Sequence, residues 1–330
     1  PTKFTIALVT FCEGQLDVHD SCDAVFGMLR LVMTRRKDIP KIYDLAKPAL
    51  ELVVRAISPD VRKNAALFVA QFMSTYKVSP NQFKDLLKVA LANLAAPKVN
   101  SRRSMLIFLN QLISDCSMEI LDQYTELILA YLGMRIANET DERAISELHE
   151  AIGKLLNEVS GSRFLSMWNL MIKWCSSDGK QVRTGLLLLA VCVEYCASAF
   201  SNLFDSLQQV VEAHIDSENY KIKIAAVELH RQIVLANQSS QKENQNENED
   251  ENSFQLQLLS VDKLIELVKQ KETTKTGCEL LNWYLAEYFE LFNPDDEGLA
   301  KISDEMINVI ISYHAMYKEA SESLYLALSN

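Results

Sequence analysis

The sequence predicts an all-α fold, an α-solenoid of stacked helical pairs, and three observations carry that prediction. Gly (9) and Pro (7) are scarce in 330 residues, while Leu, Ala, Glu and Lys, which lose least on entering a helix, are plentiful. Hydrophobic residues make up 48% of the chain, enough for a continuous core along a stack. A basic residue recurs near the start of successive helical segments, at Arg62, Arg103, Arg143, Arg183 and Lys223, at intervals of 41, 40, 40 and 40 residues. Such a period marks repeat architectures, in which one helical pair cannot bury both faces and neighbours stack to make the core.

Taken in order, residues Phe4–Thr34 supply a first pair. The first helices of the following pairs are expected at Ile42–Ile57, Pro80–Ala95, Glu119–Arg135, Arg163–Cys175 and Ala199–His214. Ser58-Pro59 and Ser79-Pro80 each place a capping hydroxyl before a proline at the first helical position, where its missing N–H costs nothing. Pro48, inside a first helix, is expected to kink it. The second helices carry the basic marks. In the first of these, Val61, Ala65, Phe68, Val69 and Phe72 form one apolar stripe of a 3.6-residue helix. Val182, Leu186, Leu189, Ala190 and Val193 repeat that spacing, and Ile222, Ala226, Leu229, His230 and Ile233 repeat it with one polar guest. The Arg143 unit departs from it, with a stripe at Ile145, Leu148, Ile152 and Leu155. Helical pairs at this period define HEAT-like repeats, and Asp60 with Arg62, Arg103, Arg143, Arg183 and Lys223 reads as a ladder between adjacent repeats.

The beat breaks after Lys223, because the segment around Lys263 reads differently. Residues 237–253 (NQSSQKENQNENEDENS) are polar, acidic and without an apolar anchor. Such a stretch cannot bury enough surface to offset its ordering entropy and is expected to be a disordered loop. The organisation expected is therefore a HEAT-like array over 1–236, the acidic loop over 237–253, and further helical hairpins over 254–330, with helices at Ser260–Lys271, Thr276–Phe292 and Asp304–Leu328.

Net charge and motif content narrow the function. The formal charge of −11 argues against an avid, free-standing nucleic-acid binder, which shows a basic surface. Seven cysteines without paired spacing, most of them in apolar helical stretches, fit a reducing compartment, cytosol or nucleus. No run of 18 apolar residues and no secretory leader is present, so no membrane partner is expected. The start at Pro1 is read as that of a piece of a longer chain. There is no GxGxxG, GxxxxGK[ST], GxSxG or HExxH, so catalytic residues, cofactor and metal sites and a small-molecule substrate are all expected to be absent. His230 is read as a satisfied core histidine, and Cys192 with Cys196, at i and i+4, lacks further ligands for zinc. Trp168, Trp174, Leu165 and Met171 read as packing residues. Two basic clusters are the candidate RNA or partner contacts: Arg35, Arg36 and Lys37 between helices, and Lys98 with Arg102 beside a repeat turn. Contacts to a phosphate backbone need charge and reach rather than a sequence code.

The stretch TRRKDIPKIYDLAKPALELVV (Thr34–Val54), followed by SPDVRKNAALFVAQFM, resembles the C-terminal part of a giant HEAT-repeat family. This is the U3 small-nucleolar-RNA-associated protein 20 family, also called "down-regulated in metastasis". The likeness continues in order through GMRIANETDERAISELHEAIGKLL (Gly133–Leu156) and MWNLMIKWCSSDGKQVRTGLLLLAVCVEYCASAF (Met167–Phe200). Together these cover about half of the chain; the segment APKVNSRRS departs from the family's usual turn. The resemblance implies a non-catalytic nucleolar scaffold of the small-subunit processome. Its expected partners are other pre-ribosomal assembly proteins, with pre-18S rRNA and the U3 small nucleolar ribonucleoprotein. The alternative is a protein-only HEAT adaptor, such as a karyopherin-like transport receptor or a kinase or translation regulator. An enzyme is the weakest of the three.

Overall fold

A computed structural model describes residues 2–16, 22–35, 39–76, 78–177, 179–196, 204–244 and 261–270, with a few single positions up to 280. Its described residues fold into thirteen α-helices and one short 3-10 turn, with no strand among them. The helices are α1 (Thr2–Gln15), α2 (Cys22–Arg35), α3 (Pro40–Arg55), α4 (Pro59–Thr75), α5 (Pro80–Ala92), α6 (Val99–Asp115), α7 (Met118–Ile136), α8 (Glu142–Glu158), α9 (Gly161–Cys175), α10 (Lys180–Cys196), α11 (Phe204–His214), α12 (Tyr220–Asn244) and α13 (Val261–Lys269). The chain is thus an all-α helical repeat. None of the described helices is long and apolar enough to cross a membrane.

The helix starts follow from local chemistry. Ser58 accepts from the Val61 amide and Ser79 from the Gln82 amide, each ahead of a proline in the first turn, so one orphan donor per helix is satisfied. Asp141 does the same for α8 through the Ala144 amide at 2.9 Å. Pro48 sits within α3, which continues through it as one helix to Arg55.

The chain divides into two compact units, residues 1–174 and 175–330. In the first, the second helices α2, α4, α6 and α8 pack on one another in sequence, and α3 and α7 pack beside their own partners α4 and α8. The stripe Val61, Ala65, Phe68, Val69 and Phe72 is buried throughout. Its counterparts one repeat on are Phe108, Leu109, Leu112 and Ile113, equally buried and each 40 residues beyond Phe68, Val69, Phe72 and Met73. Aromatic contacts join neighbouring helices: Phe26 meets Phe68 at 5.6 Å between centroids, and Phe83 stacks on Tyr124 at 4.9 Å. Each such ring contributes roughly 1.5–3 kcal/mol by leaving water. In α8, Leu148, Ile152 and Leu155 are buried with Ala144 and Ala151, whereas Ile145 is only half-buried. Leu165 of α9 is exposed, at 56%, and is not a packing residue; Trp168 and Met171 carry that role.

In the second unit α10 packs on α12, and α11 lies against α12. Val182, Leu186, Leu189, Ala190 and Val193 are buried, as are Ala226, Leu229, His230 and Ile233. Helix α12 runs on to Asn244, eight residues into the segment expected to be a loop from 237. Gln, Lys and Glu propagate a helix that is already nucleated, and Asn237 is itself buried. The rest of that segment, and the helices expected at Thr276–Phe292 and Asp304–Leu328, fall almost wholly outside the described residues.

Candidate functional site

The polar chemistry of the first unit gathers at the edge formed by the turns within each hairpin, 56–58, 93–98 and 137–141. Arg62 and Arg102 enter these turns from the first turns of α4 and α6, and both are buried, at 8% and 6% exposure. Their geometry repeats. Arg62 Nη1 donates to the carbonyls of Ala56 (2.8 Å) and Ile57 (2.9 Å), and Arg102 Nη1 to those of Ala96 and Pro97, both at 3.0 Å. Each arginine therefore clamps the turn five and six residues before it, closing its own hairpin. The repeating pair is Arg62 and Arg102, not Arg62 and Arg103, which corrects the sequence ladder by one residue.

What each arginine does with its remaining donors differs. Arg102 reaches the next hairpin, where Nε donates to Glu139 Oε2 and Nη2 to Glu139 Oε1, both at 2.8 Å. That is a bidentate fork on a carboxylate whose side chain is 0% exposed. Glu139 Oε1 also accepts from the amides of Thr140 (2.9 Å) and Asp141 (3.2 Å), and Arg135 Nε lies 3.0 Å from Oε2. Burial by itself would raise the Glu139 carboxyl; Arg102, the two amides and Arg135 overcome it and hold the group down at about 2. The hydrogen bond to Glu139 in turn raises Arg102. Arg62 instead donates from Nε to Ser104 Oγ at 3.2 Å, and it meets no carboxylate among the described residues.

Arg103 makes a second rung, with Nε and Nη2 on Glu147 Oε1 of α8 at 2.9 and 2.6 Å. Asp60 is exposed in the first turn of α4, where its charge complements the helix dipole, and it joins no ladder among the described residues. Arg143 is exposed on α8 and makes no ion pair among the described residues. In the second unit Lys223 pairs with Glu266 of α13 at 3.3 Å and with Gln270 at 3.1 Å. Lys263, one period on, bonds Asp216 and Glu266. Arg183 is half-buried, and burial lowers its guanidinium, partly offset by Tyr220.

Of the candidate basic contacts, Arg35 and Lys98 lie at opposite edges of the first unit. Arg35 is exposed at the end of α2, while Arg36 and Lys37 lie outside the described residues. Lys98 is exposed in the turn before α6, at the opposite edge, a helix length away; that is about 25 Å for 17 residues. Arg102 is no surface contact: its guanidinium is buried and spent on Glu139 and the turn carbonyls. Open clefts on the surface of this unit include three lined by described residues. One of about 480 Å³ lies between the first two turns and is lined by Arg55, Ile57, Arg62 and Lys98. A second of about 540 Å³ is lined by Asn100, Arg103, Asp141 and Arg143. The third, of about 600 Å³, lies on the second helices, where Arg30 Nε donates to Gln71 Oε1 at 3.2 Å.

Among the described residues no group of three or more His, Cys, Asp and Glu could hold a metal. Cys192 and Cys196 are buried thiols, and burial pushes Cys192 well up and Cys196 to about 11. His230 is buried and pushed down to about 4 by desolvation.

No family model matches the chain. Among solved structures it is similar to an engineered protein, at 13% identity over 83% of this chain and 98% of that one. The TM-score is 0.31, too loose a likeness to bear on fold or function.

Proposed function

We propose that the chain is a non-catalytic scaffold of the nucleolar small-subunit processome. In this role it supports 18S pre-rRNA processing and 40S subunit assembly by docking other assembly proteins and, with them, pre-18S rRNA and the U3 small nucleolar ribonucleoprotein. The observation that carries this reading is the ordered resemblance from Thr34 to Phe200, set on helical pairs at a constant period. The use of the buried charges supports it too. Arg102, Glu139 and Arg135 hold turns together, a role that serves a stack whose work is to present surfaces. Arg35 and Lys98, both exposed, are the contacts assigned to RNA or a partner.

The net charge of −11 favours a second reading, a protein-only adaptor for basic cargo. Ultraviolet crosslinking of the tagged full-length protein in cells, followed by RNA sequencing, separates the two. The scaffold reading expects 18S precursor or U3 RNA to be recovered. Recovery of neither, together with GTPase-sensitive binding to nuclear-localisation peptides, would overturn it in favour of a transport adaptor.

A further inference from the structure

Among the described residues Arg62 is a buried cation without the carboxylate partner that Arg102 possesses. A guanidinium cannot shed its charge at neutral pH, and burying an uncompensated charge is expensive. One repeat on, Arg102 meets that cost with Glu139, which comes from the following turn. The turn that follows Arg62, residues 93–98, reads Asn-Leu-Ala-Ala-Pro-Lys and offers no acid. Among the described residues the only side-chain acceptor found by Arg62 is the neutral Ser104 hydroxyl, and its hydrogen bonds there use Nε and Nη1.

The space beside it is shaped for the missing group. Arg62 lines the cleft of about 480 Å³ together with Arg55, Ile57, Lys98, Asn100 and Ser101. The cleft also receives the start of α6, whose Lys98 N-cap supplies no side-chain acceptor, whereas Ser58 and Asp141 cap α4 and α8 on the same edge. The amides of Val99 and Asn100, in the first turn of a 17-residue helix, thus receive no side-chain cap from Lys98. One repeat on, the Glu139 carboxylate lies between Arg102 and the amides of Thr140 and Asp141, just ahead of α8. Lys98 adds positive charge at the rim, where Arg55 is paired with Glu51 at 3.8 Å, and Ile57, 81% exposed, offers an apolar foothold beside it.

We propose that this cleft is a docking site for an acidic segment of a partner protein. One side-chain carboxylate of that segment sits on Arg62 and the α6 amides as Glu139 sits on Arg102, with an apolar neighbour on Ile57. The site supplies in trans what the α7–α8 turn supplies in cis. It shares Lys98 at its rim with the contacts assigned above, but its centre, Arg62 and the α6 amides, stands or falls without them.

The test follows the Arg62 Nε–Hε resonance by NMR, assigned by its loss in Arg62→Lys, while the wild-type protein is titrated at constant ionic strength. The probes are N-acetyl-glutamate N-methylamide, which carries a single carboxylate, its glutamine analogue, and inorganic phosphate. The expected result is a saturable shift of the Arg62 signal with the glutamate probe, no response to the glutamine probe, and no movement of the Arg102 signal. Ala96→Glu, which places a carboxylate in the turn itself, should weaken the glutamate response at least tenfold. An unmoved Arg62 signal, or an equal response to the glutamine probe, would overturn the proposal. Phosphate binding tenfold more tightly than glutamate would also overturn it, and would point to a nucleic-acid backbone.

Discussion

Replacing Glu139 with Gln keeps the shape of the side chain and removes one charge from the rung between two hairpins. Two independent routes give the expected cost. Removing one partner of a buried ion pair costs about 3–5 kcal/mol, because the other charge is left unpaired. The carboxyl is held at about 2 against an ordinary 4.5; at about 1.4 kcal/mol per pKa unit this is on the order of 3 kcal/mol. The sign of the pH dependence is set as well. A carboxyl lowered by folding contributes its full stability above the unfolded value of 4.5, and loses it as pH falls from there through about 2. Urea unfolding followed by circular dichroism at 222 nm, on wild type and Glu139→Gln from pH 7 down to pH 3, reads both quantities. The gap between the curves should be about 3 kcal/mol down to pH 5 and should narrow steadily below 4.5. The double variant Arg102→Met with Glu139→Met should lose much less than the sum of the single changes. A gap below about 0.5 kcal/mol at pH 7, or one that widens as pH falls, would refute the buried-rung argument.

Other expectations follow from the same geometry. His230 is pushed down to about 4 from 6.5, so the fold should lose up to about 3 kcal/mol as pH falls from 6.5 to 4, and His230→Leu should abolish that limb of the pH–stability curve. Ser58→Ala removes the cap on the Val61 amide and should cost about 1 kcal/mol, read as a lower urea midpoint. Phe68→Ala, at a side chain that is 0% exposed, should cost about 3–5 kcal/mol; a loss under 1 kcal/mol would contradict its place in the stripe. Burial pushes Cys116 and Cys175 up to about 12, so site-resolved mass spectrometry should find both unmodified by iodoacetamide at pH 8 until the protein is unfolded.

The regular part of the fold could be read in the chain because its causes are local. Ser58-Pro59 and Ser79-Pro80 cap the helices they precede, and the stripe from Val61 to Phe72 is the buried one. The ladder was less accessible. Arg102 and Arg103 are adjacent, and counting from Arg62 cannot separate intervals of 40 and 41. The apolar register does separate them: Phe68 with Phe108 and Phe72 with Leu112 repeat at 40, which places Arg102 opposite Arg62. Glu139 had no sequence signal. It lies 37 residues from Arg102 in a turn, and its role depends on how two hairpins stack. The end of α12 at Asn244 was missed because composition reports a segment's lack of anchors and does not register that a preceding helix can be extended into it. The open side of Arg62 became visible only by setting one repeat beside the next.

The most direct test of the scaffold reading is affinity purification of the full-length protein under native conditions, with quantitative mass spectrometry of what accompanies it. The account predicts that small-subunit assembly proteins are the most enriched partners and that the U3 small nucleolar ribonucleoprotein is among them. A partner set without any pre-ribosomal component, dominated instead by transport GTPase and cargo proteins, would contradict it.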